Sequence, residues 1–332
     1  MNKLHVSILL FSLFGLTMVS ACKQKQNKSE ISNFKVEDTT SIDKIFMADK
    51  SNRKVLLTKE NGKWLVDQEF PARPDLITDL LILLKRIEVK QYVPKNAVEN
   101  VIKSMAVYST KVEIYQKGKL DKVFYVGGPT QDHLGTYMLL EGSSLPFICY
   151  VPGFRGYLSP YFMPFPEEWR DKTIFAYHNN EIRKVSIEFM RNPELSYEIT
   201  YEKGKFGIRL LQQDIALSNF DTLMVKDYMR NFKIIGFESF LDVNQARLDS
   251  VTSKYGLYKV SVTDTANHTR SVSLYEIPLP PGTVDLYGDE IKFDLDRMYG
   301  IINDKTLVLC QYFTFDPITV PPAFFFPQRR PQ

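Results

Sequence analysis

Apolar and polar positions change their spacing several times along the chain, and each change marks an element. The first pattern is a block: residues 4–18 are mostly apolar, with Lys3 before them and Val19-Ser20-Ala21-Cys22 after them. From there to about residue 40 the chain is polar. Short apolar runs follow, Ile45-Phe46-Met47 and Val55-Leu56-Leu57, on either side of the polar Lys50-Ser51-Asn52. Asn61-Gly62 then leads into Lys63-Trp64-Leu65-Val66. Asn-Gly accepts positive φ at both positions of a two-residue hairpin turn, so three strands in succession are predicted. At residue 75 the spacing becomes helical. Leu76, Ile77, Leu80, Leu81, Leu83, Leu84 and Ile87 give one broad apolar face, and Pro74 sits at the first helical position, where its missing N–H costs nothing. A second, shorter helix is predicted over 95–104, with Val98, Val101 and Ile102 inward. Strands return at 110–117, 121–127, 136–141 and 146–151.

The second half repeats this order. Lys184-Val185-Ser186-Ile187-Glu188 opens it, and Lys203-Gly204-Lys205-Phe206 answers Asn61-Gly62-Lys63-Trp64. A helical stretch over 220–235 carries Leu223, Met224, Tyr228, Phe232 and Ile235. Residues 93–108 align without a gap on 243–258, so that Val93 meets Val243, Val101 meets Val251 and Tyr108 meets Tyr258. Ile148-Cys149-Tyr150 matches Leu309-Cys310-Gln311. A shared order of elements is the mark of a repeat. The expected fold class is therefore α+β: two tandem similar domains, each a mainly antiparallel sheet with helices packed on one side. They occupy 41–153 and 181–316. An aromatic and proline-rich linker, 154–180, joins them, and a Pro/Phe-rich tail covers 317–332. Equivalent strand positions in separate domains lie far apart, whereas a disulfide needs Cα atoms within about 7 Å. Cys149 and Cys310 are thus expected as buried, unpaired thiols.

The stretches "NGKWLV", "FPARPDLITDLL", "YVGGPTQDHLGTYMLL" and "FICYV" resemble a bacterial family, domain of unknown function 4340, over 41–154 and more faintly over 181–315. The resemblance implies a fold and an envelope setting. It carries no established activity. Some members accompany membrane transport or gliding-type machinery, which gives one reading of the chain as an accessory subunit of such a machine.

Lys3, the short apolar block and the small residues before Cys22 have the layout of a secretory signal, 1–21. Val19-Ser20-Ala21-Cys22 resembles the lipobox of bacterial lipoproteins, of Bacteroidota type. It implies cleavage before Cys22 and acylation there. At roughly 0.8 kcal/mol per buried CH₂, two or three acyl chains anchor a domain stably. The alternative is an ordinary signal or short anchor with an incidental cysteine. Residues 22–40 are then a polar tether. Lys23 in place of aspartate favours the outer membrane by resemblance to known sorting rules. The basic, polar run from Lys23 to Lys28 favours its periplasmic face.

Charge and composition narrow this further. Removing Lys3 with the signal takes Lys plus Arg from 42 to 41 against 39 Asp plus Glu, a mature net charge of +2. That is no footprint for nucleic acid. No second apolar run approaches the roughly 20 residues of a spanning helix. His133, His178 and His268 have neither zinc spacing nor a nucleophile motif. Gly127-Gly128-Pro129-Thr130-Gln131-Asp132 lacks the Gly-Lys-Ser/Thr ending of a phosphate loop and reads as a hairpin turn. Asp294-Leu295-Asp296 and Glu167-Glu168 read as solvated charges. No catalytic, metal or cofactor site is expected.

Partner contact is assigned instead to Tyr161 and Trp169 in the linker and to Phe324, Phe325 and Phe326 in the tail, because large aromatics beside prolines suit interface centres. Asp38-Thr39-Thr40 resembles an acceptor for O-glycosylation in Bacteroidota, with Thr39 the best placed. The expected function is a lipid-anchored envelope protein acting as a non-catalytic binding or scaffold module for an envelope protein. The rival is an envelope hydrolase with its site in the interdomain cleft. Replacing Cys22 with serine should abolish lipid attachment. Mass spectrometry of the mature N-terminus reads it, and a membrane-bound chain with an unmodified Cys22 would contradict the anchor.

Overall fold

The computed structural model describes residues 33–241, 244–253 and 256–326. Cys22, the signal 1–21 and the end of the tail lie outside them. The chain divides after Trp169 into two compact units.

In the first unit the chain runs through Ile42–Ala48 (β1), Lys54–Glu60 (β2), Lys63–Val66 (β3), Phe70–Pro71 (β4), the helix Pro74–Arg86 (α1), Glu88–Tyr92 (β5) and the helix Lys95–Tyr108 (α2). Thr110–Gln116 (β6), Lys119–Pro129 (β7), Thr136–Leu140 (β8), Phe147–Tyr150 (β9) and the short helix Pro166–Trp169 (α3) complete it. The strands form one antiparallel sheet in the order β4-β3-β2-β1-β6-β7-β8-β9-β5. Its turns follow from sequence. Asn61 and Gly62 take φ of 50° and 81°, and Lys117 and Gly118 take 50° and 74°, so each pair closes a two-residue hairpin.

In the second unit Thr173–Phe175 (β10) precedes Ile182–Phe189 (β11), Tyr197–Glu202 (β12), Lys205–Leu210 (β13), Ile215–Leu217 (β14), the helix Thr222–Tyr228 (α4), Ile235–Gly236 (β15) and Ser239–Phe240 (β16). The helix Gln245–Thr252 (α5), Gly256–Asp264 (β17), Thr269–Pro278 (β18), Phe293–Ile302 (β19), Thr306–Gln311 (β20) and the short helix Tyr312–Phe315 (α6) follow. The sheet order is β14-β13-β12-β11-β17-β18-β19-β20-β16, and β10 pairs separately with β15. The chain fills this sheet in the sequence it uses for the first. Even the irregularities correspond. Pairing of β1 with β6 slips between Ile42 and Lys44, and pairing of β11 with β17 slips between Ile182 and Lys184.

Side chains alternate across a strand, and this alternation distributes the helices. Ile77, Leu80, Leu83 and Leu84 of α1 share a core with Ile45, Met47, Val112, Ile114, Phe124, Met138 and Cys149. Each such side chain contributes roughly 1.5–3 kcal/mol by leaving water. The alternate positions Tyr125, Tyr137, Leu139 and Ile148 belong to a different cluster, with Val101 and Met105 of α2. Helices therefore cover both faces, not the one side expected. In the second unit Val225 and Tyr228 of α4 join the main core, while Val251 of α5 packs with Tyr275, Ile301 and Leu307. The helix predicted to end at 104 continues to Tyr108, because buried Met105 extends its apolar stripe by a turn.

Segments expected outside the domains are parts of their cores, the tether and the linker first among them. Phe34 and Val36, in the predicted tether, are buried in the first core, and the Val36 N–H donates to the Leu84 carbonyl at 2.9 Å. The predicted linker is split: Leu158, Phe162 and Trp169 fill the first core, and Ile174 and Phe175 fill the second. These stretches stay out of the two nine-stranded sheets, yet their aromatics still cover them.

Cys149 of β9 and Cys310 of β20 are free and fully buried, and burial pushes both thiols well above the ordinary range. The Cys310 Sγ occupies the space above Gly300, where a Cβ would lie only 2.6 Å from it. Both thiols should resist alkylation in the folded chain and both should be labelled after denaturation without reductant. A disulfide-linked peptide would contradict this.

Candidate binding surfaces

The polar residues singled out by sequence are engaged in turns. His133, His178 and His268 are exposed; the His133 ring sits 5.8 Å from that of Tyr157, and His268 Nδ1 lies 3.4 Å from Asp264 Oδ2. In the glycine-containing turn after β7, the Asp132 carboxylate accepts from the Thr130 hydroxyl at 2.5 Å and the Leu134 N–H at 3.0 Å. The Thr130 bond first, and the Leu134 N–H next, hold its carboxyl below the usual range. A Cβ at Gly127 would lie 2.8 Å from Met105, so this glycine serves the approach of α2 and not a phosphate. Asp294 accepts from the N–H groups of Asp296 and Arg297, both at 2.8 Å. Among the described residues no group of three or more His, Cys, Asp or Glu is placed to hold a metal ion.

Asp38 uses its carboxylate likewise, accepting from the Thr40 N–H at 3.0 Å and the Thr40 hydroxyl at 2.5 Å. Thr39 is half-buried in the resulting turn. Asp221, before Thr222, caps α4 by accepting from Leu223 and Met224. The Asp-Thr pairs thus have a local structural use, since aspartate favours caps and turns.

The aromatic residues assigned to partner contact separate into two sets. Trp169 is buried, and its indole N–H donates to the Met163 carbonyl at 2.8 Å. Phe325 is buried between Tyr197 and Tyr228, at ring-centroid distances of 5.7 and 5.1 Å, and its carbonyl accepts from the Asp221 N–H at 2.8 Å. Both are core residues, which corrects their assignment to a partner surface. The cause is the 3-10 helix Pro322–Phe325, in which successive side chains diverge by about a third of a turn. Phe325 points into the sheet, Phe326 is half-buried, and Phe324 stays 44% exposed. Val320 and Ile318 offer carbonyls to the Tyr197 and Tyr228 hydroxyls at 3.0 and 2.8 Å, so the tail is stitched to the core before it reaches the phenylalanines.

Tyr161 belongs to an open groove. Its walls are α1, through Asp79, Ile82 and Arg86, and the chain after β9, through Phe154 and Tyr161; Leu83 and Leu158 make its floor. The groove encloses about 160 Å³. Phe154 and Tyr161 meet edge to face at 6.0 Å, and Arg86 Nη2 donates to the Pro152 carbonyl at 2.8 Å, which fixes the second wall against the helix. Ile82 and Phe154 are exposed although large and apolar. Ile82 has a signal in the sequence: it interrupts the 77-80-84 stripe, so an all-apolar helical run leaves it facing outward. Phe154 has none beyond its type.

The family model for a domain of unknown function, DUF4340, matches residues 64–259. No curated protein and no solved structure matches the chain.

The two tail phenylalanines should behave differently. Phe325→Ala, and deletion of 321–332, should each cost about 3–5 kcal/mol by urea denaturation, whereas Phe324→Ala should cost less than about 1 kcal/mol. Equal, small effects would contradict the buried placement of Phe325.

Proposed function

The chain belongs to the DUF4340 family, a domain of unknown function, and from that premise we propose that it is a lipid-anchored envelope protein serving as a non-catalytic binding or scaffold module for an envelope protein. The groove of the first unit is the observation that carries this reading. It is a concave surface with an apolar floor, polar ends and two large apolar side chains left in water, which is how contact sites for other proteins are built. The charged groups at its ends are Asp79 and Arg86, two helical turns apart on α1. They suit orientation of a bound segment more than chemistry on it.

The anchor rests on the order of Lys3, the apolar block and Val19-Ser20-Ala21-Cys22. With Phe34 already in the core, the stretch from Cys22 to the folded body is short, spanning at most about 40 Å even if fully extended. A module so tethered works close to its membrane, and we place it on the periplasmic face of the outer membrane. We also read the two units as tandem copies of one domain. The common strand order, the matching slips at Lys44 and Lys184, the turns at Asn61-Gly62 and Lys203-Gly204, and the buried cysteine in β9 and β20 support this.

Crosslinking in intact envelopes, followed by purification of the full-length lipoprotein, tests the groove. Ile82→Asp and Phe154→Asp should each reduce the crosslinked partner at least tenfold while leaving the thermal midpoint within about 2 °C of wild type, because neither side chain is buried. Undiminished crosslinking in both variants would exclude the groove as the contact.

A further inference from the structure

The connection between β18 and β19 departs from its counterpart in the first unit. There, residues 130–135 suffice to join β7 to β8. In the second unit residues 279–292 intervene and fold as an arm of their own. The Leu279 N–H donates to Lys292 at 2.8 Å, Ile291 to Thr283 at 2.9 Å, and Asp285 to Asp289 at 2.9 Å. At the tip the Asp285 carboxylate accepts from the N–H groups of Tyr287 and Asp289 at 2.8 and 3.0 Å, and Gly288 takes φ of 89°. The backbone of the tip is thus tied by its own hydrogen bonds.

What it presents is apolar. Leu286 is 100% exposed and Tyr287 91%, with Val284 beside them and Leu295 at the base also exposed. None of these side chains belongs to either core cluster of the unit. Single exposed apolar residues are ordinary, but three within four positions of one hydrogen-bonded arm are not. The surrounding charge is of one sign. Along the arm and the first residues of β19, Asp285, Asp289, Glu290, Asp294 and Asp296 stand against Lys292 alone, since Arg297 is engaged by Glu238 at 2.9 Å. This reverses the sign of a chain whose formal net charge is +3.

We propose that the arm 279–292 is a docking finger for a second protein whose contact site is an apolar socket rimmed by lysine and arginine. Leu286 and Tyr287 enter the socket, and the carboxylates around them meet the basic rim. Charge complementarity selects this occupant: an anionic lipid surface would repel the same carboxylates and draw them out of water unpaired. The finger lies outside the groove and does not depend on it.

A photo-reactive phenylalanine analogue in place of Tyr287, in the full-length protein in its own cells, tests the finger, with the same analogue at exposed Ile215 on β14 as control. The expected result is one protein adduct at 287 and none at 215, with the crosslinked peptide flanked by lysine or arginine. The adduct should fall at least tenfold in Leu286→Asp and in the double variant Asp289→Lys, Asp296→Lys, at an unchanged thermal midpoint. No adduct, an adduct to lipid, an adduct to another copy of the chain, or one indifferent to charge reversal would overturn the proposal.

Discussion

A nine-stranded sheet is too wide for the one helix laid on its main face, and most of the structure follows from that mismatch. Nine strands span about 38 Å across the hydrogen-bonding direction, while a helix of the length of α1 runs only about 20 Å and covers a band about 10 Å wide. The remaining apolar surface has to be covered by chain outside that helix and outside the nine strands, in short turns, single helical turns and irregular segments. In the first unit Phe34 and Val36 arrive from one end of the chain and Leu158, Phe162 and Trp169 from the other. Phe124 sits between the two arrivals, with Phe34 at 5.9 Å and Phe162 at 5.7 Å, both edge to face. In the second unit Ile174 and Phe175 take the first role and Phe315, Ile318 and Phe325 the second.

Irregular chain brings unpaired backbone groups with it, and a buried unpaired group costs about as much as a lost hydrogen bond. Side chains answer this need. The Leu158 N–H donates to the Thr136 hydroxyl at 2.6 Å, and the Ser159 hydroxyl donates to the Gly127 carbonyl at 2.6 Å. Trp169, Tyr197 and Tyr228 do the same for Met163, Val320 and Ile318. Asn231 donates to Pro317 at 3.2 Å. Burial raises the hydroxyl pKa of Tyr197 and Tyr228, so they remain donors at any physiological pH. Large aromatics with a polar tip fit this position because they fill sheet surface and reach a carbonyl with one side chain.

The regular elements were legible in the sequence because each has a local cause. Asn61-Gly62 and Lys203-Gly204 close their hairpins, Pro74 starts α1, and the alternation in β1 and β11 sets which residues are buried. The covering segments were not legible, since their burial is decided by distant sheet. Phe34 and Val36 stand among Asn33, Lys35 and Glu37 and look like polar tether. Trp169 and Phe325 look like surface aromatics because proline surrounds them. Strands of two residues, β4, β15 and β16, have no period to read. The distribution of helices over both faces needed the pairing of Tyr125 and Leu139 across β7 and β8, which places them opposite Phe124 and Leu140 in the pleat.

The same mismatch accounts for the groove. Where the chain after β9 crosses α1 to reach its cover position, Leu158 goes down to the sheet while Ile82 and Phe154 stay above, and Arg86 holds the crossing at Pro152. The open, apolar-floored groove is thus a by-product of how the sheet is closed. Hydrogen exchange on the full-length protein carrying Trp169→Ala tests the closure most directly. If each sheet is sealed by its own following segment, amide protection should fall across β1, β6, β7 and β8 and remain at wild-type levels in β11, β17 and β18. Unchanged protection in the first sheet, or equal loss in both, would contradict it.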